Sequence, residues 1–404
     1  MNICIVCPGY NEKNYRLQPW RYIYEISKHL GKRGLKVSII TDGYSTYPSF
    51  EENEEVSVYR LRSLRSSPFV ENRAITQLIK QIDPKIVFWA LGFTSIQGYT
   101  TIKALDKPVL GLWMGTRFKV MQILSIGLKD IVSDFSSVYL FFINALIPKR
   151  FFLNLLELPN FKKIITLSDH GKQQLLRLGV QQAMISVIPP GIEDYDLKTP
   201  GDDIVSHLKK KNGIGTDDFV ILYFGSPLSL RGTSTLIKAL SIVRSQENIK
   251  LIILSRKRDG SLERESKAMI ELIYKLKLDN SVTIVNGFLD RDMVKTYIRL
   301  SDVVVLPFKL IQAETPISIL EVMALGRPVI STRICGITEL LEDDRGYLVP
   351  PSNCDELALA IDHLSMDPKL RERIGNNARK FMLSYSKWDS VGENIAREIM
   401  ELSE

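Results

Sequence analysis

The sequence predicts an α/β protein made of two Rossmann-like domains, each a doubly wound parallel sheet, which face each other across a central cleft. Short apolar runs alternate with segments of helical periodicity along the chain. This alternation starts again after residue 190, and 404 residues are enough for two such domains.

The first domain is predicted over residues 1–192. A helical segment, Arg21–Lys32, follows the first apolar run and ends before Gly34, a residue typical of helix ends. Strand, helix and strand in this order predict a parallel sheet covered by helices. The predicted strands are Ile3–Cys7, Val37–Thr41, Ile86–Ala90, Pro108–Leu112 and Lys163–Leu167.

The second domain is predicted over residues 193–384, after a boundary at Pro189-Pro190-Gly191 that cannot continue a helix. Helical segments Thr233–Ser245 and Leu262–Lys277 separate its apolar runs. We expect the tail, residues 385–404, to pack back on the first domain. The predicted strands are Phe219–Phe224, Lys250–Leu254, Ser281–Val285, Val303–Pro307 and Pro328–Ser331.

The composition is that of an ordinary globular protein, with 45% hydrophobic and 25% charged residues. Four scattered cysteines fit a reducing compartment, so we expect a cytoplasmic protein. No apolar run reaches the ~18 residues of a membrane span. Residues 1–190 hold 24 Lys and Arg against 14 Asp and Glu, which favours an anionic partner for this half.

The strand over 302–307 leads through a loop, Phe308–Glu314, into a helix predicted to begin at Thr315-Pro316, where Thr caps the helix and Pro occupies its first position. The free amides are then those of Ile317, Ser318 and Ile319, and they form an anion site at a strand end. Glu321, further along the helix, can accept from the vicinal hydroxyls of a ribose. The alternative is a Thr-Pro helix start with a solvated Glu.

A second loop, Gly225 to Gly232, also follows a strand and opens a helix. Its glycines permit close backbone approach, and Arg231 can clamp a diphosphate in a fork geometry. Alone, this pattern also fits a turn with a surface Arg. Both loops open at the same sheet edge, and Asn286-Gly287-Phe288 can supply a slot for a base.

These motifs resemble the retaining glycosyltransferases of the GT-B fold, the group that includes enzymes similar to sucrose-phosphate synthase and mannosyl- and glucosyltransferases. The resemblance spans nearly the whole chain and is strongest over residues 164–352. Its segments are Val187–Ile192, Gly225–Gly232, Asn286–Phe288, Glu314–Ile330 and Tyr385–Trp388.

The resemblance implies roles by position. Glu321 matches the second Glu of the family's paired motif, Arg231 matches its diphosphate-binding cation, and Gly9 lies in the loop after the first strand. The first Glu should fall at Ala313, yet the acid is Glu314, which we expect to serve after a one-residue loop shift.

Two further positions depart from the family. Ser226 replaces an Arg that is common early in the phosphate loop. Met114 stands where the family has a His, and His170 is expected to be a surface residue. The expected donor-binding residues are Gly9, Gly225, Ser226, Arg231, Gly232, Gly287, Phe288, Glu314, Thr315, Pro316, Ile317, Ser318 and Glu321.

The resemblance also implies a retaining reaction in which the departing diphosphate helps to deprotonate the acceptor, so no protein nucleophile is needed. Arg231 and Glu314 are the expected catalytic residues, and we expect neither a metal nor a cofactor besides the sugar nucleotide. The sugar is expected to be a hexose.

The first domain is expected to hold an acceptor glycan, either anionic or lipid-linked. Its basic charge and the aromatic stretch over 138–152 suit a peripheral contact with the inner face of an anionic membrane, or equally a helix packed on its own domain. Acceptor or membrane candidates are Tyr10, Trp113, Met114, Arg117, Lys119, Lys149 and Arg150.

Two other functions stay open from the sequence. A catalytically degenerate partner that only binds a nucleotide-sugar would explain Ala313 and Met114. A sugar-nucleotide epimerase shares the fold but would need an acid–base pair in the cleft, and no His is expected there. No recognition motif supports nucleic-acid binding.

Overall fold

In the computed structural model, the chain forms two parallel sheets with helices packed on them. The structure describes residues 1–12, 14–15, 17–43, 48–52, 56–64, 69–91, 98–244, 248–255, 263–287 and 289–402.

The first sheet has eight strands in the described part of the chain, in the order β3-β4-β2-β1-β5-β6-β7-β8. All pairs are parallel except β3 with β4 at one edge. The strands are β1 Asn2–Val6, β2 Lys36–Asp42, β3 Phe50–Glu52, β4 Val56–Leu61, β5 Ile86–Leu91, β6 Val109–Trp113, β7 Phe161–Thr166 and β8 Ile185–Val187.

This sheet is buried on both faces because side chains alternate along each strand. Ile3 and Ile5 of β1 belong to one apolar cluster, whereas Cys4 and Val6 belong to another. The helices of this half are α1 Trp20–Gly31, α2 Arg73–Ile82, α3 Tyr99–Lys103, α4 Val120–Leu124, α5 Leu128–Ser133, α6 Phe135–Leu146, α7 Lys149–Leu156 and α8 Asp169–Leu178.

The second sheet has the order β11-β10-β9-β12-β13-β14, and its pairs are parallel. Its strands are β9 Phe219–Gly225, β10 Ile249–Ser255, β11 Val282–Asn286, β12 Val303–Leu306, β13 Val329–Thr332 and β14 Tyr347–Val349. The helices are α9 Asp194–Leu197, α10 Asp202–Lys211, α11 Thr233–Leu240, α12 Glu263–Lys275, α13 Arg291–Leu300, α14 Ile317–Ala324, α15 Ile337–Leu341, α16 Cys354–Met366, α17 Pro368–Leu383 and α18 Trp388–Glu401.

The ten strands predicted from apolar runs are present, with ends shifted by one or two residues. The four strands that were not predicted are β3, β4, β8 and β14. Three of them have only three residues, and β4 alternates buried and half-buried side chains instead of forming an apolar run. Short or alternating strands therefore escaped a search for apolar runs.

The segment that carries α4, α5 and α6 precedes residue 192 but packs on the second half of the chain. Its buried side chains join the apolar cluster that contains β9, β10 and β12. They are Phe118, Ile123, Ile126, Val138 and Phe141.

Two chain crossings lie side by side where the halves meet. Ile192 pairs in parallel with Lys387, and a Cβ on Gly191 would lie 2.5 Å from the backbone nitrogen of Trp388. After this crossing α18 packs on α1, with Trp388 and Ile395 in the apolar cluster of the first sheet. The domain limits of 192 and 384 remain a prediction.

Candidate active site

Two loops at the carboxyl edge of the second sheet are bonded to each other. The amide of Lys309, after β12, donates to the carbonyl of Leu230, after β9, at 2.9 Å. Gly232 has a φ of +80°, and a Cβ there would lie 1.8 Å from the carbonyl oxygen of Pro307. Only glycine fits this approach, which fixes the spacing of the two loops.

Arg231 ends a short 3-10 turn in the first of these loops. Its guanidinium carbon lies 5.3 Å from the centroid of the Phe308 ring, and burial lowers the pKa of the guanidinium. Among the described residues it has no hydrogen bond from its side chain and no acidic partner. A desolvated cation without a counter-charge suits an anionic ligand.

Two hydroxyls of the same loop region are buried with no hydrogen-bond partner within the described chain. They are the Ser226 Oγ and the Thr233 Oγ1. Native proteins pair most buried polar atoms, so an unpaired group calls for an explanation. The segment over 225–233, which we call the phosphate loop, therefore contains one guanidinium and two hydroxyls with unused hydrogen-bonding capacity.

Helix α14 begins one residue later than predicted, and Thr315 is not its cap. The Thr315 hydroxyl donates to the carbonyl of Leu167 at 2.9 Å, and Pro316 takes the capping position. The predicted free amide of Ile319 is also bonded, to the carbonyl of Pro316 at 3.1 Å. The amides of Ile317 and Ser318 have no acceptor in the described part of the chain.

Glu321 and Ile317 line a small cavity between the halves of the chain. Gly191 and Trp388 contribute to its wall from the chain crossings. Its volume is about 80 Å³, below the ~300 Å³ at which ligand pockets begin. The cavity is therefore too small, as it stands, to hold a nucleotide.

The expected base slot is only partly described. Gly287 has a φ of +123° and donates its amide to the carbonyl of Ser255 at 3.1 Å, while a Cβ there would meet no atom within 4 Å. Phe288 lies outside the described residues.

Glu314 is fully buried and joins the two halves. Thr116 donates its hydroxyl to the carboxylate at 2.5 Å, Ser168 does so at 2.9 Å, and the His170 Nδ1 lies 3.0 Å away. Because these partners come from the first half, the carboxylate contributes to closing the cleft. A buried carboxylate is tolerated when such partners surround it.

The prediction that His170 is a surface residue is wrong. It is half-buried against Glu314, so a His–carboxylate pair does lie between the halves. Thr116, Ser168 and His170 were all missed. Ser168 and His170 lie at the start of α8, directly after β7, and the rule that polar residues at strand ends gather at one sheet edge could have found them.

A larger cavity of about 340 Å³ lies beside this pair. Arg177 and Arg333 line it, with exposed guanidinium groups that form no ion pair in the described chain. Glu339 also lines it, and its carboxylate accepts the amides of Asp169 and His170 at the start of α8. Burial raises the pKa of Glu339.

Several acceptor candidates lie in other environments than expected. Trp113 and Met114 are buried in the first domain, where Trp113 packs edge-on against Phe152 at 5.0 Å. Arg117 donates to the carbonyls of Ala145 and Ile147, at the end of α6. These three side chains are therefore used by the fold, whereas Lys119, Lys149 and Arg150 are exposed.

Gly9 and Tyr10 form a tight turn after β1. The Gly9 amide donates to Asp42 at 2.6 Å, and the Tyr10 amide donates to the Thr41 hydroxyl at 3.0 Å. Gly9 has a φ of +73°, and Tyr10 is buried. The positive φ explains why a glycine stands at position 9, and the two hydrogen bonds anchor the turn to β2.

Among the described residues, no group of three or more His, Cys, Asp or Glu side chains is arranged to hold a metal ion. In the same part of the chain, no single helix is long and apolar enough to cross a membrane. One pair, Val138–Leu146 with Lys149–Leu156, reaches the required length and composition together but is bent by 80°.

Two family models match the two halves. Residues 20–194 match the model described as Glycosyltransferase Family 4, and residues 205–381 match Glycosyl transferases group 1. An uncharacterized glycosyltransferase of Methanocaldococcus jannaschii is 25% identical over 93% of both chains. An alpha-D-kanosaminyltransferase of Streptomyces kanamyceticus is 30% identical over 47% of each.

Solved structures agree with this fold. Sucrose-phosphate synthase of Thermosynechococcus elongatus has a TM-score of 0.76 at 18% identity, covering 99% of this chain and 98% of that one. Anabaena HepE in complex with UDP has a TM-score of 0.74 at 17% identity, covering 99% and 100%. With both halves matched and the two loops in place, the chain belongs to the glycosyltransferases of the GT-B fold, which take a nucleotide-sugar donor.

Proposed function

We propose that this glycosyltransferase is a retaining, metal-independent enzyme that moves a hexose from a nucleoside-diphosphate sugar. The observation that carries the proposal is the Arg231 guanidinium, which is desolvated and has no acidic partner among the described residues. A diphosphate would supply the missing negative charge and would accept from the Ser226 and Thr233 hydroxyls.

In the proposed reaction, the bond between the sugar C1 and the diphosphate oxygen breaks, and its electron pair stays on the diphosphate. The acceptor oxygen bonds to C1 from the same face, and its proton passes to the leaving diphosphate. Arg231 stabilises the charge that develops there, a contribution of roughly 10²–10³ in rate for one such group.

Glu321 and the amides of Ile317 and Ser318 are proposed to hold the nucleoside end of the donor. The carboxylate accepts from ribose hydroxyls, and the amides donate at the start of α14. Structures of HepE hold UDP and UDP-glucose, so UDP-glucose is the first donor to test. Glu314 is proposed to set the closed position of the halves around it.

We propose an anionic or lipid-linked acceptor on the cytoplasmic face of a membrane. Arg177 and Arg333 provide two unpaired guanidinium groups in the 340 Å³ cavity, within the described chain. Relatives at 24–25% identity include a D-inositol 3-phosphate glycosyltransferase and an N-acetyl-alpha-D-glucosaminyl L-malate synthase, and both names contain an anionic group.

The test is release of UDP from UDP-glucose by the purified chain, with and without EDTA. We expect turnover that EDTA does not change, α-glucose as the first product of donor hydrolysis by NMR, and a loss of roughly 10²–10³ in Arg231→Ala. Arg373→Ala is the matched control, because Arg373 is exposed. Equal rates in both variants would refute the role of Arg231, and β-glucose would refute retention.

A further inference from the structure

An exposed apolar ridge runs along α4 to α7. Eight large hydrophobic side chains within 31 residues are between 45% and 78% exposed there. Clusters of exposed apolar side chains mark surfaces that contact a partner or a membrane. The ridge consists of Met121, Leu124, Leu128, Val132, Phe135, Tyr139, Leu146 and Phe151.

Within each helix the ridge residues have the spacing of one helix face. Leu128 and Val132 are four positions apart in α5, and Phe135 and Tyr139 are four positions apart in α6, where their ring centroids lie 6.0 Å from each other. The opposite side, which includes Val138, is buried in the core of the second half. The helices are therefore apolar on both sides, and only one side is covered.

The acidic residues of this segment point inward. Asp130 accepts from the Lys309 ammonium at 2.5 Å and from the Ser229 hydroxyl, and Asp134 accepts from the Leu230 amide at 2.9 Å. Both carboxylates are therefore bonded to the phosphate loop and the loop after β12.

The charges left around the ridge are positive. Four exposed cations flank it, and none forms an ion pair within the described chain. They are Lys119, Lys129, Lys149 and Arg150. An apolar strip with a basic border is complementary to a surface of anionic lipid, where side chains enter the interface and cations contact headgroups.

We propose that this ridge docks the enzyme on an anionic lipid membrane, lying in the interface without crossing it. This docking rests on the proposed function, because an enzyme whose acceptor is lipid-linked must work at a membrane. Asp130 and Asp134 bond the helices of the ridge to the phosphate loop, so docking of the ridge would hold this loop close to the membrane.

The test is co-sedimentation of the purified chain with vesicles of phosphatidylcholine that do or do not contain phosphatidylglycerol. We expect binding to the anionic vesicles that weakens with added salt. The double variant Leu128→Asp, Val132→Asp should bind about tenfold more weakly or worse, because charge replaces two inserted side chains. The matched control is Ile204→Asp, which changes an exposed hydrophobic residue in the second half.

Three outcomes would overturn the proposal: no binding to anionic vesicles, equal binding by the ridge variant and the wild type, or a dimer in analytical ultracentrifugation that the ridge variant abolishes. The last outcome would assign the ridge to a second copy of the chain. UDP release is measured on the same samples. Vesicle binding without UDP release would support membrane docking by the ridge and refute the proposed donor chemistry, so the two failures are distinguishable.

Discussion

Replacing Glu314 by Ala tests whether this carboxylate holds the two halves of the chain together. The substitution removes the partner of Thr116, Ser168 and the His170 ring and leaves the two hydroxyls buried without an acceptor. Hydrogen bonds to charged groups contribute about 1.5–3 kcal/mol each, so losing the acceptor of two buried hydroxyls costs about 3–6 kcal/mol.

This loss of free energy converts into a change in melting temperature. Unfolding entropies near roughly 2.1 cal/mol/K per residue give about 0.85 kcal/mol/K for a chain of 404 residues. We therefore expect Glu314→Ala to lower the melting temperature by about 4–7 °C. Glu314→Gln keeps one acceptor oxygen and should show a smaller decrease.

Differential scanning calorimetry measures this shift, with Glu342→Ala as the matched control because Glu342 is exposed. Small-angle scattering of the same samples should show a more open Glu314→Ala variant. An unchanged melting temperature together with an unchanged radius of gyration would refute the clamp. A loss of kcat with both unchanged would instead assign Glu314 to the chemistry.

Two further predictions concern the loops. Gly232→Ala would place a Cβ 1.8 Å from the Pro307 carbonyl oxygen. Calorimetry should therefore show a larger loss of stability for this variant than for Gly213→Ala, where a Cβ meets open space. Equal losses in the two variants would contradict the close packing of the loops. Burial raises the pKa of Asp134, so the folded state binds its proton more readily than the unfolded state. Lowering the pH from 7 towards the unfolded pKa of about 4 should therefore stabilise the wild type relative to Asp134→Asn, and a constant difference in melting temperature over that range would contradict the raised pKa.

The sequence predicted the parallel strands and the two loops well, because both depend on local chemistry. A buried strand needs a run of apolar residues such as Phe219–Phe224. Gly232 was singled out for close backbone approach, which is what its contact with Pro307 requires. The pairing of β9 with β12 then brings both loops to one edge.

Contacts between the two halves could not be predicted from such local patterns. Glu314 was expected to serve the donor, yet its carboxylate contacts residues some 150 to 200 positions earlier in the chain. Trp113 was expected to face an acceptor, but an aromatic residue at the end of a strand can be buried equally well. A sequence pattern indicates which side of an element is apolar and does not identify the partner that covers it.

The aromatic stretch over 138–152 shows the same limit. Its composition suited either a membrane or a helix packed on its own domain, whereas the structure buries Val138 and Phe141 in the core of the second half and exposes Tyr139, Leu146 and Phe151. Which side faces inward is known only from the three-dimensional structure, in which Val138 and Phe141 are buried and Asp130 and Asp134 bond to the second half.

The most direct test of the donor site is isothermal titration of UDP into the wild type, Arg231→Ala and Arg373→Ala. A diphosphate paired with a desolvated guanidinium should bind at least about tenfold more weakly once that group is removed, since a charged contact contributes about 1.5–3 kcal/mol. The account predicts this loss in Arg231→Ala and wild-type affinity in Arg373→Ala. Equal affinity in all three proteins would show that the diphosphate does not bind at Arg231.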